Sequence, residues 1–332
     1  MEAIADPIDC HLLDNWQRDF PVTSRPFAEL ANDLALDEAD VLDRLQRMSR
    51  TGRISRVGAT CAPNTISAST LAAIAAPPER LDEVVAIISA EPGINHSYLR
   101  ENEWNLWFVA TGPDRAFVDA ALENIQTRTG LRVLDLRLVR PFNLDLGFRM
   151  RGPRATTARP QPRQPDLTRI EAGDRDILQV LAEGLPIVAR PYAALGERLN
   201  RSEEDVIERI AALQDAAIIS RLGVIVRHRA LGWRANAMVV WDLPSELIDT
   251  AGPRLAAMSG VTLCYERRPV PGVWPYRLYS MIHARDQAEA LAFLDEARTI
   301  PELSDVPYEA LFSTQCFKQT GAMIKDKPVA AA

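Results

Sequence analysis

Arg25-Pro-Phe-Ala-Glu-Leu30 and Arg190-Pro-Tyr-Ala-Ala-Leu195 open two stretches that match at one fixed offset of 165 residues. The register holds without a gap: Leu34 with Leu199, Glu38 with Glu203, Val41 with Val206, Arg44 with Arg209, and Ile54-Ser-Arg with Ile219-Ser-Arg, through Gly58 and Gly223. Solenoid repeats recur every 20–50 residues or so, and this period is far longer than about that range. It is the size of a domain, so the 332 residues read as a tandem fusion of two related copies. The positions at which the copies differ are then the best evidence about function.

Each copy opens with three short helical patterns. In the second, Ile177, Leu178 and Leu181 mark a helix over Asp174–Ala182, and Pro191 starts another that runs to Asn200. Ser202 caps a third, with Asp205 at the capping-box position and Val206, Ile207, Ile210 and Leu213 on its apolar face. The β-branched alternation of Ile218–Val226 then suits the wing of a winged helix. The first copy repeats this with Leu12-Leu13, Pro26–Ala35, Asp37–Met48 and Ile54–Gly58. What remains alternates strand and helix. In copy two the pattern is Ala237–Trp241, Ser245–Met258, Val261–Glu266, Tyr276–His283 and Asp286–Ala297. In copy one it is Leu71–Ala75, Leu81–Ala90, Ile94–Leu99, Trp104–Ala110, Pro113–Thr127 and Leu131–Val139. The order βαββαβ is ferredoxin-like. The fold class is therefore α+β, a duplicated winged helix plus ferredoxin-like domain. The boundaries are 1–60 and 61–149 for the first copy, a proline-rich linker at 150–171, then 172–226 and 227–332.

Composition narrows the setting. At 47% hydrophobic and 25% charged residues the chain is an ordinary globular one, and no apolar run approaches the roughly 18 residues of a membrane span. The first residues lack the order of a secretory signal, and four scattered cysteines with no Cys-x-x-Cys pair point to a reducing cytoplasm without a zinc site. The net charge is −7. The third helices, which a DNA-binding relative would lay in the major groove, carry Asp37, Glu38, Asp40 and Asp43 in one copy and Glu203, Glu204, Asp205 and Glu208 in the other. Acidic first turns suit the helix dipole, but carboxylates facing the groove repel phosphate, so no nucleic-acid partner is expected.

Four histidines are present. His11 reads as incidental, and His283, which ends a strand opposite Thr111 of the other copy, reads as structural. His96 lies in Ile94-Asn-His-Ser-Tyr-Leu-Arg100, whose counterpart keeps Tyr265 and Arg267 but has Leu263 in place of the histidine. His228 lies in Arg227-His-Arg-Ala-Leu-Gly-Trp233, and Pro63 stands at its position in copy one. The halves are thus unequal in complementary ways, as expected either of drift or of one composite site. Arg227, Arg229 and Arg234 cluster with His228, and Arg100, Arg267 and Arg268 flank the tyrosine strands. Guanidinium forks pair with carboxylates, while Trp104, Trp107, Trp233, Trp274, Tyr276 and Tyr279 offer flat apolar surface. Together they suit a large planar polyanion, although packing and surface charge explain most of them singly.

His96-Ser-Tyr-Leu-Arg100 followed by Trp104-Asn-Leu-Trp-Phe108 resembles one motif set of the siroheme decarboxylases. The other set includes Arg227-His-Arg, Cys264-Tyr-Glu-Arg-Arg-Pro269, Trp274-Pro-Tyr276, Met281-Ile-His283 and Phe312-Ser-Thr314. Members of that family are similar in fold to Lrp/AsnC regulators, and the likeness covers nearly the whole chain outside the linker and tails. It implies loss of two acetate carboxyls from siroheme to give didecarboxysiroheme, without an organic cofactor or a metal of the protein's own, on the way to a dioxo-isobacteriochlorin haem. Under that resemblance His96 and His228 would be proton donors or an axial ligand to the substrate iron. Tyr98 would orient a carboxylate or relay a proton. Arg100, Arg227, Arg229 and Arg267 would hold other carboxylates, and Trp233, Trp274 and Tyr276 the macrocycle. The partner expected is siroheme, bound by an intramolecular pseudo-dimer in a single working site, with further self-association open. The alternatives are an Lrp/AsnC-type regulator that binds a small ligand and DNA, and a non-catalytic tetrapyrrole carrier.

Overall fold

A computed structural model of the chain describes residues 6–144 and 163–326. Most of the expected linker (150–162) therefore lies outside the described residues. The first copy runs α1 (Pro7–Asn15), α2 (Pro26–Leu34), α3 (Glu38–Arg50), β1 (Ile54–Cys61), β2 (Ala68–Ile74), α4 (Leu81–Ala90), β3 (Ile94–Arg100), β4 (Leu106–Gly112), α5 (Arg115–Thr129), β5 (Val133–Leu136) and β6 (Leu138–Asn143). The second runs α6 (Asp174–Glu183), α7 (Pro191–Leu199), α8 (Glu203–Asp215), β7 (Ile219–Val226), β8 (Ala235–Trp241), α9 (Ile248–Ala257), β9 (Val261–Arg267), β10 (Leu278–Ala284), α10 (Gln287–Ala297) and β11 (Tyr308–Gln319).

Local chemistry sets the helix ends. Asp6 accepts from the amides of Ile8 and Asp9 to start α1, and Ser202 accepts from that of Asp205 to start α8. Proline occupies the first turn of α2 and of α7. The residues that match between copies are largely structural staples. Asp9 on α1 meets Arg44 on α3 at 2.8 Å, and their counterparts Asp174 and Arg209 meet at the same distance. Arg25 and Arg190 likewise bind Glu38 and Glu203. Arg44 and Arg47 of α3 and Arg209 of α8 are therefore engaged by carboxylates of their own bundle.

Two features depart from the sequence expectation. The strands expected as separate wings pair with each other across the copies, antiparallel from Ile54↔Val226 to Cys61↔Ile219. The six helices and this ribbon share one apolar core, from Leu12, Phe27 and Leu45 to Leu178, Tyr192 and Ile210. The strand expected over Leu131–Val139 is broken at Arg137 into β5 and β6.

That break is the key to the larger sheet, whose strand order is β5-β2-β4-β3-β11-β8-β10-β9-β6. The two terminal strands are separated in the chain by Arg137 alone, so the sheet closes on itself. β5 pairs with β2 of its own copy, whereas β6 pairs with β9 of the other. β11 does the same from the opposite side, pairing with β8 up to Phe312 and with β3 from Ser313. Each copy's last strand therefore begins at home and ends on its twin. Alternation sends Trp107, Met238, Val240, Tyr265, Tyr279, Met281 and Leu311 into the closed interior. Neighbouring residues such as Phe108, Ile74, Trp241 and Ile282 face the outer helices.

Gly58 and Gly223 stand opposite each other in the β1–β7 ribbon. A Cβ on Gly58 would lie 2.4 Å from the carbonyl oxygen of Leu181, and one on Gly223 would lie 2.3 Å from the backbone of Gln17. Backbone cannot retreat as a flexible side chain can. Gly58→Ala and Gly223→Ala should each cost about 2 kcal/mol or more, read as a lower urea midpoint. An unchanged midpoint in both would show that the ribbon is not this tightly held.

Candidate active site

Strand exchange assembles one mouth of the closed sheet from both copies. β3 carries His96, Tyr98 and Arg100 on alternate positions, and its register with β4 sets His96 against Val109 and Tyr98 against Trp107, on the inner face. On its other edge lies β11 of copy two, which places Cys316 beside Tyr98 and Ser313 beside Arg100. From the winged-helix side come Arg56 on β1 and a short turn, His228–Leu231, that follows β7. Arg229 donates to Ser313, to its carbonyl oxygen at 2.7 Å and to Oγ at 3.1 Å, which docks the turn on β11.

The two imidazoles expected to cooperate are brought together. Burial pushes the pKa of His96 down to about 4, with help from the charge of Arg56. Burial also pushes His228 down to about 4, and Arg229, His96 and Arg100 add to the effect. His96 and His228 are thus within reach of each other's field, although they come from different copies. Nδ1 of His96 stands 3.4 Å from the hydroxyl of Tyr98. Burial, with the nearby Cys316 thiol, holds that phenol protonated well above its ordinary range.

The guanidinium groups are the other half of the site. Burial lowers the pKa of Arg56 and brings that of Arg100 to about 10. Nε of Arg56, of Arg100 and of Arg229 has no hydrogen-bond partner among the described residues. Among those residues, no carboxylate forms an ion pair with Arg56, Arg100, Arg227 or Arg229. Concentrated cations without counter-ions are costly, and the cost falls when an anionic ligand brings its own carboxylates. Chemically the mouth can hold a polyanion and offer two basic nitrogens to it.

Other expected residues lie elsewhere. Arg267 is the counterpart of Arg100 at the opposite mouth, donating to the carbonyl of Leu136 as Arg100 does to that of Leu311. Trp233 is buried in the winged-helix core. Trp274 fills the closed interior, where it donates to Tyr279 Oη at 2.8 Å and packs on Trp107. Tyr276 lies edge-on to Trp274 and donates to Glu309. These aromatic faces are spent on protein contacts. The opposite mouth has a cavity of about 400 Å³ lined by Ser67, Ser69, Arg115, Arg137 and Arg268, and Leu263 stands where His96 would be. Arg56 and Cys316 escaped the sequence reading. Arg56 lies in the repeated Ile-Ser-Arg, and its twin Arg221 is structural, donating to the carbonyl of Gln17, so repetition hid the difference.

Residues 66–142 and 230–318 match the AsnC-like ligand binding domain family, and residues 9–54 and 174–219 match the siroheme decarboxylase NirDL-like HTH domain family. The siroheme decarboxylase NirDL subunit of Paracoccus denitrificans is 54% identical over 97% of this chain and 98% of its own length. A crystal structure of the siroheme decarboxylase NirDL superposes with a TM-score of 0.67 at 25% identity, covering 96% of this chain and 94% of that one. A second crystal structure of the siroheme decarboxylase NirDL, in complex with an iron-uroporphyrin III analogue, shares the fold with a TM-score of 0.66 at 23% identity, over 95% and 92% of the two chains.

The depressed imidazoles have a consequence for stability. Both are neutral when folded until about pH 4, whereas unfolding frees them to take up protons below their ordinary 6.5. The unfolded state then binds more protons, so their contribution is intact above pH 6.5 and is lost as pH falls from there to about 4. Chemical denaturation of the ligand-free protein should show this decline, and His96→Gln or His228→Gln should each remove about half of the part the pair contributes. A slope untouched by both substitutions would contradict the assignment.

Proposed function

We propose that this chain, which belongs to the siroheme decarboxylase family and is a carboxy-lyase, removes two acetate carboxyls from siroheme to give didecarboxysiroheme, at the mouth where β3, β11 and the His228 turn meet. The observation that carries this placement is the pairing of two neutral imidazoles, one from each copy, with four arginines that lack carboxylate partners among the described residues. A planar tetrapyrrole fringed with carboxylates is the complement of that arrangement.

In each step the bond between the methylene and the carboxylate breaks, carbon dioxide leaves, and the electron pair stays with the methylene carbon, delocalised into the macrocycle. A proton delivered to that carbon completes a methyl group. No organic cofactor is required, because the conjugated ring of the substrate itself accepts the electron density. His96 and His228 are the groups placed to supply the proton or to ligate the substrate iron. Free of substrate they are neutral near pH 7, which suits ligation at once. The acid role requires a rise in pKa, and the arriving carboxylates provide it, since nearby negative charge favours the imidazolium. Tyr98, held protonated, donates a hydrogen bond to the reacting carboxylate or passes on a proton. Arg100, Arg227 and Arg229, with Arg56, hold the carboxylates that do not react. Against the regulator alternative, Arg44 and Arg209 of the third helices are held by carboxylates of their own bundle.

Anaerobic incubation of the purified chain with siroheme should yield a product lighter by two carbon dioxide units. His96→Ala and His228→Ala should still bind iron uroporphyrin while turnover falls about 100-fold or more. Full activity in both variants would remove the histidines from the mechanism. A shift of DNA in a low-salt gel would revive the regulator.

A further inference from the structure

We infer that Asn236 and His283 form a positioning pair that sets the guanidinium of Arg100 and the ring of His228 for the reaction at this mouth. The inference rests on the function proposed above and extends it to residues behind the reacting groups. Asn236 and His283 are cross-strand neighbours on β8 and β10, both buried.

The hydrogen bonds around them admit one direction only. Arg100 can only donate, and its Nη1 lies 3.2 Å from Oδ1 of Asn236. Asn236 must then turn its amide nitrogen to His283, where Nδ2 and Nε2 are 2.6 Å apart. Nε2 is therefore an acceptor, and the ring carries its proton on Nδ1, 2.7 Å from Oγ1 of Thr262. The threonine hydroxyl in turn donates to the carbonyl of Met281 at 3.1 Å. Reversing any member would set donor against donor, as a second proton on Nε2 of His283 would. The chain of bonds thus fixes the plane of the His283 ring. That fixed ring meets His228 edge to face, with centroids 4.6 Å apart and planes 78° apart.

The duplicated architecture supplies an internal control. Counting five residues along each strand from the pairs Trp241↔Leu278 and Ile74↔Leu106 leads to Asn236↔His283 in one copy and Ser69↔Thr111 in the other. At the opposite mouth Thr111 donates to the carbonyl of Gly93 and accepts from the amide of Met323, and does not extend a chain to Arg267. Arg267 keeps only the carbonyl bond that Arg100 also makes, with no side-chain acceptor among the described residues. The closed sheet is therefore built equally well with serine and threonine at these positions. The amide and imidazole occur only where His96 and His228 occur. A demand of the fold would have appeared in both copies; a demand of the site would appear in one, as it does.

The test transplants the other mouth's residues. Asn236→Ser should free Arg100, raising KM for siroheme and the dissociation constant for iron uroporphyrin about fivefold or more, with kcat within about twofold. His283→Thr should release the His228 ring and lower kcat about tenfold or more with little change in KM. Both variants should keep the wild-type thermal midpoint within a few degrees. The inference is overturned if both retain wild-type kcat and KM, or if losses of activity merely follow losses of folded protein. The wild-type reaction separates the two levels. Should wild type release no carbon dioxide, the functional reading fails by itself, and the binding of iron uroporphyrin by Asn236→Ser still decides the positioning role.

Discussion

The exchange of last strands between the copies is the constraint on which the rest of the molecule depends. Because β11 leaves β8 after Phe312 and joins β3 at Ser313, the strand carrying His96 lies beside chain from the second copy. Because β1 pairs with β7, the turn bearing His228 and Arg229 is held over that same edge. Neither copy could build this mouth alone. The fusion makes the two halves obligatory neighbours and frees each mouth to diverge, since a residue lost from one is not lost from both.

Divergence marks the two histidines of the site, whereas much of the identity between the copies serves stability. Arg25, Glu38, Arg44 and their twins Arg190, Glu203 and Arg209, which announce the duplication in the sequence, hold helices together in both copies. The residues that break the repeat gather at one end of the closed sheet. His96 replaces the leucine found at position 263, and His228 stands where the first copy has a proline. Around them the usual balance of charge is suspended. Guanidinium groups that elsewhere in the chain find carboxylates do not find them here among the described residues, and the imidazoles are held neutral by burial, with those cations adding to the effect. An anionic macrocycle would supply the carboxylates that these guanidinium groups lack.

Much of this was legible in the sequence. Hydrophobic periodicity and the 165-residue register gave the duplication and the βαββαβ order, and the unequal histidines pointed to one composite mouth. What could not be read follows from the physics of pairing over distance. A wing and a ribbon shared between copies have the same alternation, so Ile219–Val226 alone cannot reveal its partner. Arg137, a single residue at the break of a strand, carries no signal that the sheet will close there. Trp274 reads in the sequence as a surface for a planar ligand because aromatic residues serve cores and sites alike; its partners Trp107 and Tyr279 place it in the closed interior. From the sequence His283 is expected to be structural and to lie opposite Thr111; in the structure it pairs with Asn236 of its own copy, and Thr111 is its counterpart on β4. Only its bonds to Asn236 and Thr262, and its edge against His228, tie it to the site.

On the function proposed here, the duplicated chain keeps one working mouth. The most direct measurement is a spectroscopic titration of the intact chain with iron uroporphyrin, reading the number of macrocycles bound at saturation. One per chain, with the iron spectrum altered by substitution of His96 or His228, is the predicted result. Two equivalent macrocycles per chain would contradict it.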